Sequence, residues 1–177
     1  MKIMNEQLIL INEQDQIIGQ AEKMRVHQEG LLHRAFSVFV FRQNSSGQRE
    51  LLLQQRQFDK YHSKGLWTNS CCGHPRFGEG TIEAGQRRLQ EEMGLMIKLH
   101  EAGVFHYRVD LEGKMVENEM DHVLVGDYRN EMIDIDPDEV ADYCWMKIDM
   151  LWQDLKKHPE KYTAWFAQAL SLAVGIK

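Results

Sequence analysis

The stretch Trp67-Thr68-Asn69-Ser70-Cys71-Cys72-Gly73-His74-Pro75 sets a thiol and an imidazole two residues apart, with one glycine between them. Residues two apart in an extended segment point to the same face. Pro75 biases His74 toward extended geometry, and Gly73 lets another group come close to the backbone. Cys72 and His74 are therefore expected to look into one space. A thiol beside an imidazole or a metal can be tuned for proton transfer or nucleophilic attack. On these nine residues alone a buried strand end, with a packed thiol and a hydrogen-bonded imidazole, fits equally well.

A second set of residue types could hold a cation. His27, His33 and His74 are imidazoles on loop or strand-end segments, and Glu117 and Glu119 fall on one face of a strand. Three imidazoles and two carboxylates suit a borderline divalent ion such as Mn, Zn or Fe. Eight histidines can supply a set of three by chance, and spacing does not show that these segments converge. His62, His100, His106, His122 and His158 lack a companion pattern and read as surface or satisfied polar residues. Asp121 shares the face of Glu119 and reads as a strand-end charge.

The elements that must position these groups follow from periodicity and turn chemistry. Leu8–Ile11 and Ile17–Gly19 read as strands around a turn at 12–16, and Lys23–Gly30 as a polar helical turn. Ala35–Phe41 is a β-branched and aromatic strand, paired through the Asn44-Ser45-Ser46-Gly47 turn with Glu50–Arg56. Residues 57–70 form a long loop carrying Lys60, Lys64 and Trp67. A helix is predicted over 80–94, with Thr81 as N-cap, Gly94 at its end and a stripe of Ile82, Leu89 and Met93. Its Arg87–Glu91 and Arg88–Glu92 pairs, taken by spacing alone, read as solvated salt bridges. Strands are predicted over 103–110, 115–128 and 143–146, with helices over Ile148–Lys157 and Tyr162–Val174. The last carries an apolar face of Tyr162, Trp165, Phe166, Ala169, Leu170 and Ala173. This order, without regular βαβ alternation, predicts an α/β mixed sheet with helices packed on it.

The bulk numbers are those of one domain with a sizeable core, spanning 1–177. Hydrophobic residues make up 43% and charged residues 27%, which fits a soluble globular protein. No apolar run approaches the roughly 18 residues of a membrane span, and residues 1–7 start no signal-peptide pattern, so a cytoplasmic location is expected. Three cysteines, two of them adjacent, make no disulfide framework. A net charge of −6 argues against a general nucleic-acid binder but leaves room for an anionic small substrate.

From Gly73 the chain runs through Glu79 and Arg87 to Arg88-Leu89-Gln90-Glu91-Glu92-Met93-Gly94-Leu95. This resembles the Nudix signature, in which a loop–helix–loop presents carboxylates that hold Mg against a diphosphate. Arg88 stands where that signature has a glutamate, which speaks against pyrophosphohydrolysis and suits direct contact with diphosphate oxygens. Together with Trp67–Pro75 and Glu117-Asn118-Glu119, the pattern resembles the type I isopentenyl-diphosphate isomerases over most of the chain. The resemblance implies a Nudix-like α/β/α sandwich with extra N-terminal and C-terminal elements, and interconversion of isopentenyl and dimethylallyl diphosphate. It implies Cys72 and Glu119 as the proton-transfer pair, with Tyr107 assisting Glu119. His27, His33, His74, Glu117 and Glu119 would bind Mn2+ or Zn2+, while Glu92 and the Cys72 carbonyl would hold Mg2+ on the diphosphate. Lys23, Arg56, Lys60 and Arg88 would contact the diphosphate, and Trp165 would cover the hydrocarbon. The gap from His27 to His33 is one residue shorter than in the family's bacterial pattern. The implied partner is a small-molecule diphosphate, with no nucleic acid or membrane, acting on a monomer or weak homodimer. Two other classes stay open: a Nudix hydrolase of a nucleoside diphosphate derivative, and a non-catalytic metal-binding domain on the same scaffold.

Overall fold

In the computed structural model of the protein, residues 6–175 are described. The reading of the first five residues as free of a signal-peptide pattern lies outside them. The sheet is organised around β3 (His33–Gln43), whose residues from Ala35 to Phe41 are all buried. A strand buried on both faces reads as a continuous apolar run, not as an alternation, and this one does. It runs parallel to β8 (Val116–Asp127) and antiparallel to β1 (Gln7–Ile11), β4 (Arg49–Arg56) and β6 (Cys71–Gly73). β2 (Ile17–Glu22) extends the β1 side, β7 (His100–Asp110) pairs with β8, and β5 (Trp67–Thr68) and β9 (Val140–Lys147) pair with β4.

The alternation of Cβ directions sorts the side chains into two layers. Phe39, Phe41, Leu51, Leu53, Val123 and Val125 pack beneath α3 (Ile148–Lys157) and α4 (Phe166–Ala173). Phe36, Val38, Val40, Leu52 and Leu124 pack beneath α2 (Thr81–Met93). Each fully buried side chain of this size contributes roughly 1.5–3 kcal/mol, so the two layers clamp the sheet between them. This is the expected α/β/α sandwich, with β1, β2 and α1 (Lys23–Glu29) as the N-terminal addition. The same alternation puts His33, Ser37, Glu117, Glu119 and Asp121 on the α4 face, in line with the core residues beyond them.

Three local expectations are corrected. Gly80, not Thr81, is the N-cap of α2, and its N–H donates to Glu83 Oε2 at 3.2 Å. Ile82 is 38% exposed, because α2 seats on the sheet through Ala84 and Gly85. A Cβ on Gly85 would lie 2.5 Å from Leu124 Cδ1. The last helix starts at Phe166 instead of Tyr162, because Thr163 N–H donates to the Trp67 carbonyl at 3.0 Å and Tyr162 bridges Trp67. Those backbone groups are committed to β5 and cannot join a helical ladder. Trp165 thereby becomes the N-cap residue of α4. Among the described residues no helix is long and apolar enough to cross a membrane.

Candidate active site

α1 exists to present His27. The Glu22 side chain accepts the N–H groups of Met24 and Arg25, both at 3.0 Å, and Gly30 closes the helix in the left-handed region at φ 63°. His27 is fully buried, and its Nδ1 meets the Lys23 carbonyl at 2.7 Å. A carbonyl only accepts, so Nδ1 carries the proton and a neutral ring turns a lone pair on Nε2 toward Glu117 Oε2, 3.3 Å away. Both of those atoms are buried and lack a hydrogen-bond partner. His33 repeats the arrangement: Nδ1 meets the Leu31 carbonyl at 2.9 Å, and Nε2 lies 3.2 Å from Glu119 Oε1. His74 Nε2 reaches the same oxygen at 3.0 Å. The three rings stand 5.1–6.0 Å apart.

The Nε2 lone pairs of His27 and His33, turned toward carboxylate oxygens in a buried space, call for positive charge between them, as a proton or a metal ion. The donor set, imidazole nitrogen and carboxylate oxygen, is that of a borderline divalent metal. Ligand atoms of His27, His33, His74 and Glu119 lie within 4.8 Å of one another, and so do those of His27, His62 and Glu117. The five residues singled out from the sequence thus do meet, in two groups that share His27, and the shortened gap before His33 leaves His27 inside the cluster. Burial opposes charge on His27, yet its contact with Glu117 raises its pKa, whereas burial lowers that of His74. Burial also works against the Glu119 carboxylate; positive charge brought to it as a proton on the His33 or His74 ring outweighs burial and holds the group well below its ordinary range.

His62 is the residue that sequence reasoning misplaced. It is 3% exposed, and its Nε2 lies 2.9 Å from Glu117 Oε1. Nothing about its spacing separates it from the other histidines. The available signal was its place beside Lys60 and Tyr61 in the long loop. The other misreading is Asp121, which sits within β8 at 1% exposure, not at a strand end.

β6 pairs with β3 so that Cys72 faces Ser37, and Cys71 turns into the opposite layer. The Cys72 thiol donates to Asn69 Oδ1 at 3.3 Å and lies 3.7 Å from Ser37 Oγ. Ser37 donates to Asp121 Oδ2 at 2.7 Å, while Asp121 Oδ1 is buried without a partner. Burial, with the Asp121 charge second, pushes the Cys72 thiol up to about 12. Burial and the neighbouring Glu119 likewise raise Asp121 well above the usual carboxylate range. Ser37 was legible in principle, as a lone hydroxyl within the apolar run of β3. Tyr107 stands directly opposite Glu119 in the β7–β8 ladder and donates its hydroxyl to Glu119 Oε2. Burial and the Glu119 charge raise its pKa well above the ordinary phenol value.

Two of the four candidate cations, Arg56 and Lys60, gather with Glu92 beside Cys72. Gln54, Arg56, Lys60, Thr68, Cys72, Glu92 and Glu139 line one crevice. Glu92 is 5% exposed and held by Gln54 Nε2 at 2.8 Å and by Arg88. Arg88 also meets Glu91 at 2.8 Å and Glu139 at 3.5 Å, so the Arg88–Glu92 pair is no solvated surface bridge. Lys60 pairs with Glu139. Lys23 lies 2.7 Å from Glu6 and over the Tyr61 ring. Arg56 donates to the carbonyls of Ser63 at 3.2 Å and His62 at 3.3 Å, which fixes the loop above the crevice. Trp165 is 4% exposed, with its ring 6.3 Å from those of Tyr107 and His62 and 5.8 Å from the Arg56 guanidinium.

A NUDIX domain model matches residues 31–166. The isopentenyl-diphosphate Delta-isomerase of Serratia proteamaculans (strain 568) is 50% identical over 163 residues, covering 92% of this chain and 88% of that protein. The isopentenyl-diphosphate Delta-isomerase 2 of Photorhabdus laumondii is 46% identical over 168 residues, covering 95% and 92%. Among solved structures, DR0079 from Deinococcus radiodurans superimposes with a TM-score of 0.69 at 19% identity, over 94% of this chain and 97% of that one. The MutT protein from Methanosarcina mazei Go1 gives 0.59 at 20%, over 77% and 89%. The structural likenesses show the Nudix fold, and the sequence relatives narrow it. This chain belongs to the isopentenyl-diphosphate Delta-isomerase family of the Nudix superfamily.

Proposed function

We propose that the protein interconverts isopentenyl and dimethylallyl diphosphate in isoprenoid biosynthesis, with Cys72 and Glu119 as the proton-transfer pair. The observation that carries the reading is the placing of the Cys72 thiol and a buried, Tyr107-supported carboxylate on one face of the sheet, beside a crevice that Arg56 and Lys60 help to line. Moving a double bond by one position delivers a proton to one carbon and removes another from its neighbour. Protonation of the alkene leaves a tertiary carbocation, and loss of the second proton restores the double bond. A donor and an acceptor on opposite sides of the five-carbon unit spare either group from doing both jobs, and the direction of reaction decides which does which. Asn69 and Ser37 orient the Cys72 thiol, and Tyr107 orients Glu119. Trp165 walls the hydrocarbon; an indole face near a desolvated cation is worth about 2 kcal/mol.

The residues around Glu119 fit a divalent metal, on the orphaned atoms of His27 and Glu117 and the converging lone pairs. His27, His33, His74, Glu117 and Glu119 would hold it as Mn2+ or Zn2+. When bound it supplies a fixed positive charge that polarises Glu119. Glu92, a carboxylate already immobilised by Gln54, would hold Mg2+ on the diphosphate together with the Cys72 carbonyl. Lys23, Arg56, Lys60 and Arg88 would contact diphosphate oxygens, exchanging their present carboxylate and carbonyl partners for phosphate. The same reading takes the chain as a single domain over 1–177, a monomer or weak homodimer, working in the cytoplasm.

The test is incubation of the purified protein with isopentenyl diphosphate, Mg2+ and Mn2+. Dimethylallyl diphosphate without phosphate release is expected. Release of phosphate, or nucleotide from a nucleoside diphosphate derivative, would support the hydrolase reading that Arg88 argues against. Metal binding without turnover of either substrate would support a non-catalytic domain.

A further inference from the structure

We infer that His62 is a positioning residue of the metal centre, which sets the rotation of the Glu117 carboxylate. The inference rests on the reading that His27, His33, His74, Glu117 and Glu119 hold a divalent ion. His62 comes from the loop between β4 and β5, not from the sheet. Arg56 anchors that loop through the carbonyls of His62 and Ser63. The next residue, Ser63, adopts the left-handed region at φ 51°, a costly conformation for a non-glycine, and its Oγ lies 3.1 Å from His62 Nδ1. The ring is wedged edge-on against Tyr61 at 4.3 Å and against Trp165 at 6.3 Å.

The hydrogen bonding around the ring fixes its role. An ionised carboxylate only accepts, so His62 Nε2, 2.9 Å from Glu117 Oε1, must carry a proton. The Ser63 hydroxyl then donates to Nδ1 in the neutral ring. A protonated Nε2 cannot also be a metal ligand, so His62 acts through Glu117. It occupies Oε1 and leaves Oε2, which has no hydrogen-bond partner, turned toward His27 Nε2 at 3.3 Å. Without this hydrogen bond Glu117 would be free to rotate and to present either oxygen, or neither, to the cluster. Hydrogen-bonded supports of this kind typically change metal affinity by 10- to 100-fold. The contact with Trp165 also ties the metal centre to the proposed hydrocarbon wall.

The experiment titrates metal-free protein with Mn2+ alone, reading free Mn2+ by its electron paramagnetic resonance signal. Wild type is compared with His62→Leu, His62→Asn and His62→Gln, and thermal unfolding of each metal-free variant checks the fold. His62→Leu removes the donor and His62→Asn carries one too short to reach Glu117; both are expected to weaken Mn2+ binding by about 10- to 100-fold. His62→Gln places an amide N–H near the position of Nε2 and is expected to recover most of that loss. Unchanged affinity in the folded Leu or Asn variant overturns the inference, as does a Gln variant that binds as weakly as Asn. If His62→Leu does not fold, the Asn and Gln pair decides alone. Absence of Mn2+ binding in wild type would instead overturn the metal-centre reading, and this inference with it.

Discussion

Cys72 is a thiol that its surroundings keep protonated. Burial comes first, and the Asp121 charge second, in pushing it up to about 12, while the contacts with Ser37 and Asn69 pull the other way. The sign is that of an acid with a raised pKa: the thiolate fraction stays small at neutral pH and grows about tenfold per pH unit up to the folded value. Iodoacetamide should therefore modify Cys72 far more slowly than a free cysteine at pH 7. The rate, followed by mass spectrometry of the Cys72 peptide, should still be rising above pH 10; a plateau by pH 8 would contradict the environment described. Tyr107 bears on the other half of the proposed pair. Tyr107→Phe removes a hydrogen bond to a charged carboxylate, worth about 1.5–3 kcal/mol, so kcat should fall roughly 10- to 150-fold with KM little changed. Cys72, His74 and the Glu117/Glu119 pair were legible because their types and two-residue spacing announce a shared face. Ser37 stands out only as a lone hydroxyl in an apolar run, and neither its role nor that of His62 was legible, because their partners Asp121 and Glu117 lie 84 and 55 positions away along the chain.

At the scale of elements, Gly73 joins the two halves of the site. A Cβ there would lie 2.9 Å from Phe36 Cζ and 3.2 Å from Arg88 Cγ, so the glycine lets α2 pack close against β6 and brings the Arg88 side chain over the strand that carries Cys72. Gly73→Ala should cost about 1–3 kcal/mol by overpacking. Because Arg88 must shift, it should also raise KM for the diphosphate more than it lowers kcat; denaturant unfolding and steady-state kinetics measure the two effects. Elements whose cause is local were readable: the apolar run of β3, the hairpin through Asn44–Gly47 and the helix closed by Gly94. The start of α4 was not, because the Thr163 hydrogen bond to Trp67 spans nearly a hundred residues and overrides a helical pattern. The N-cap error at Thr81 is of the smaller kind expected at helix ends.

At the scale of the molecule, the site depends on one long-range pairing. The parallel β3–β8 ladder sets His33 against Glu119, and the β7–β8 ladder sets Tyr107 there too. Sequence pattern supplied the strands but not which would be neighbours, so the convergence of the ligands became visible only in the fold. Buried carboxylates and imidazoles brought together this way should make metal a large contributor to stability. At a free metal concentration 100 times Kd, binding to the native state alone adds about 2.7 kcal/mol. For a chain of this size that is a rise in Tm of roughly 5–11 °C. Calorimetry with EDTA and with Mn2+ should show this difference, and equal transitions would count against a metal centre. The central claim, proton exchange between Cys72 and Glu119 through the five-carbon unit, has its most direct test in proton NMR of the reaction run in D2O. Wild type should convert isopentenyl diphosphate to dimethylallyl diphosphate carrying solvent deuterium, and folded Cys72→Ala should be slower by about 10²-fold or more. Wild-type turnover by Cys72→Ala would contradict the account.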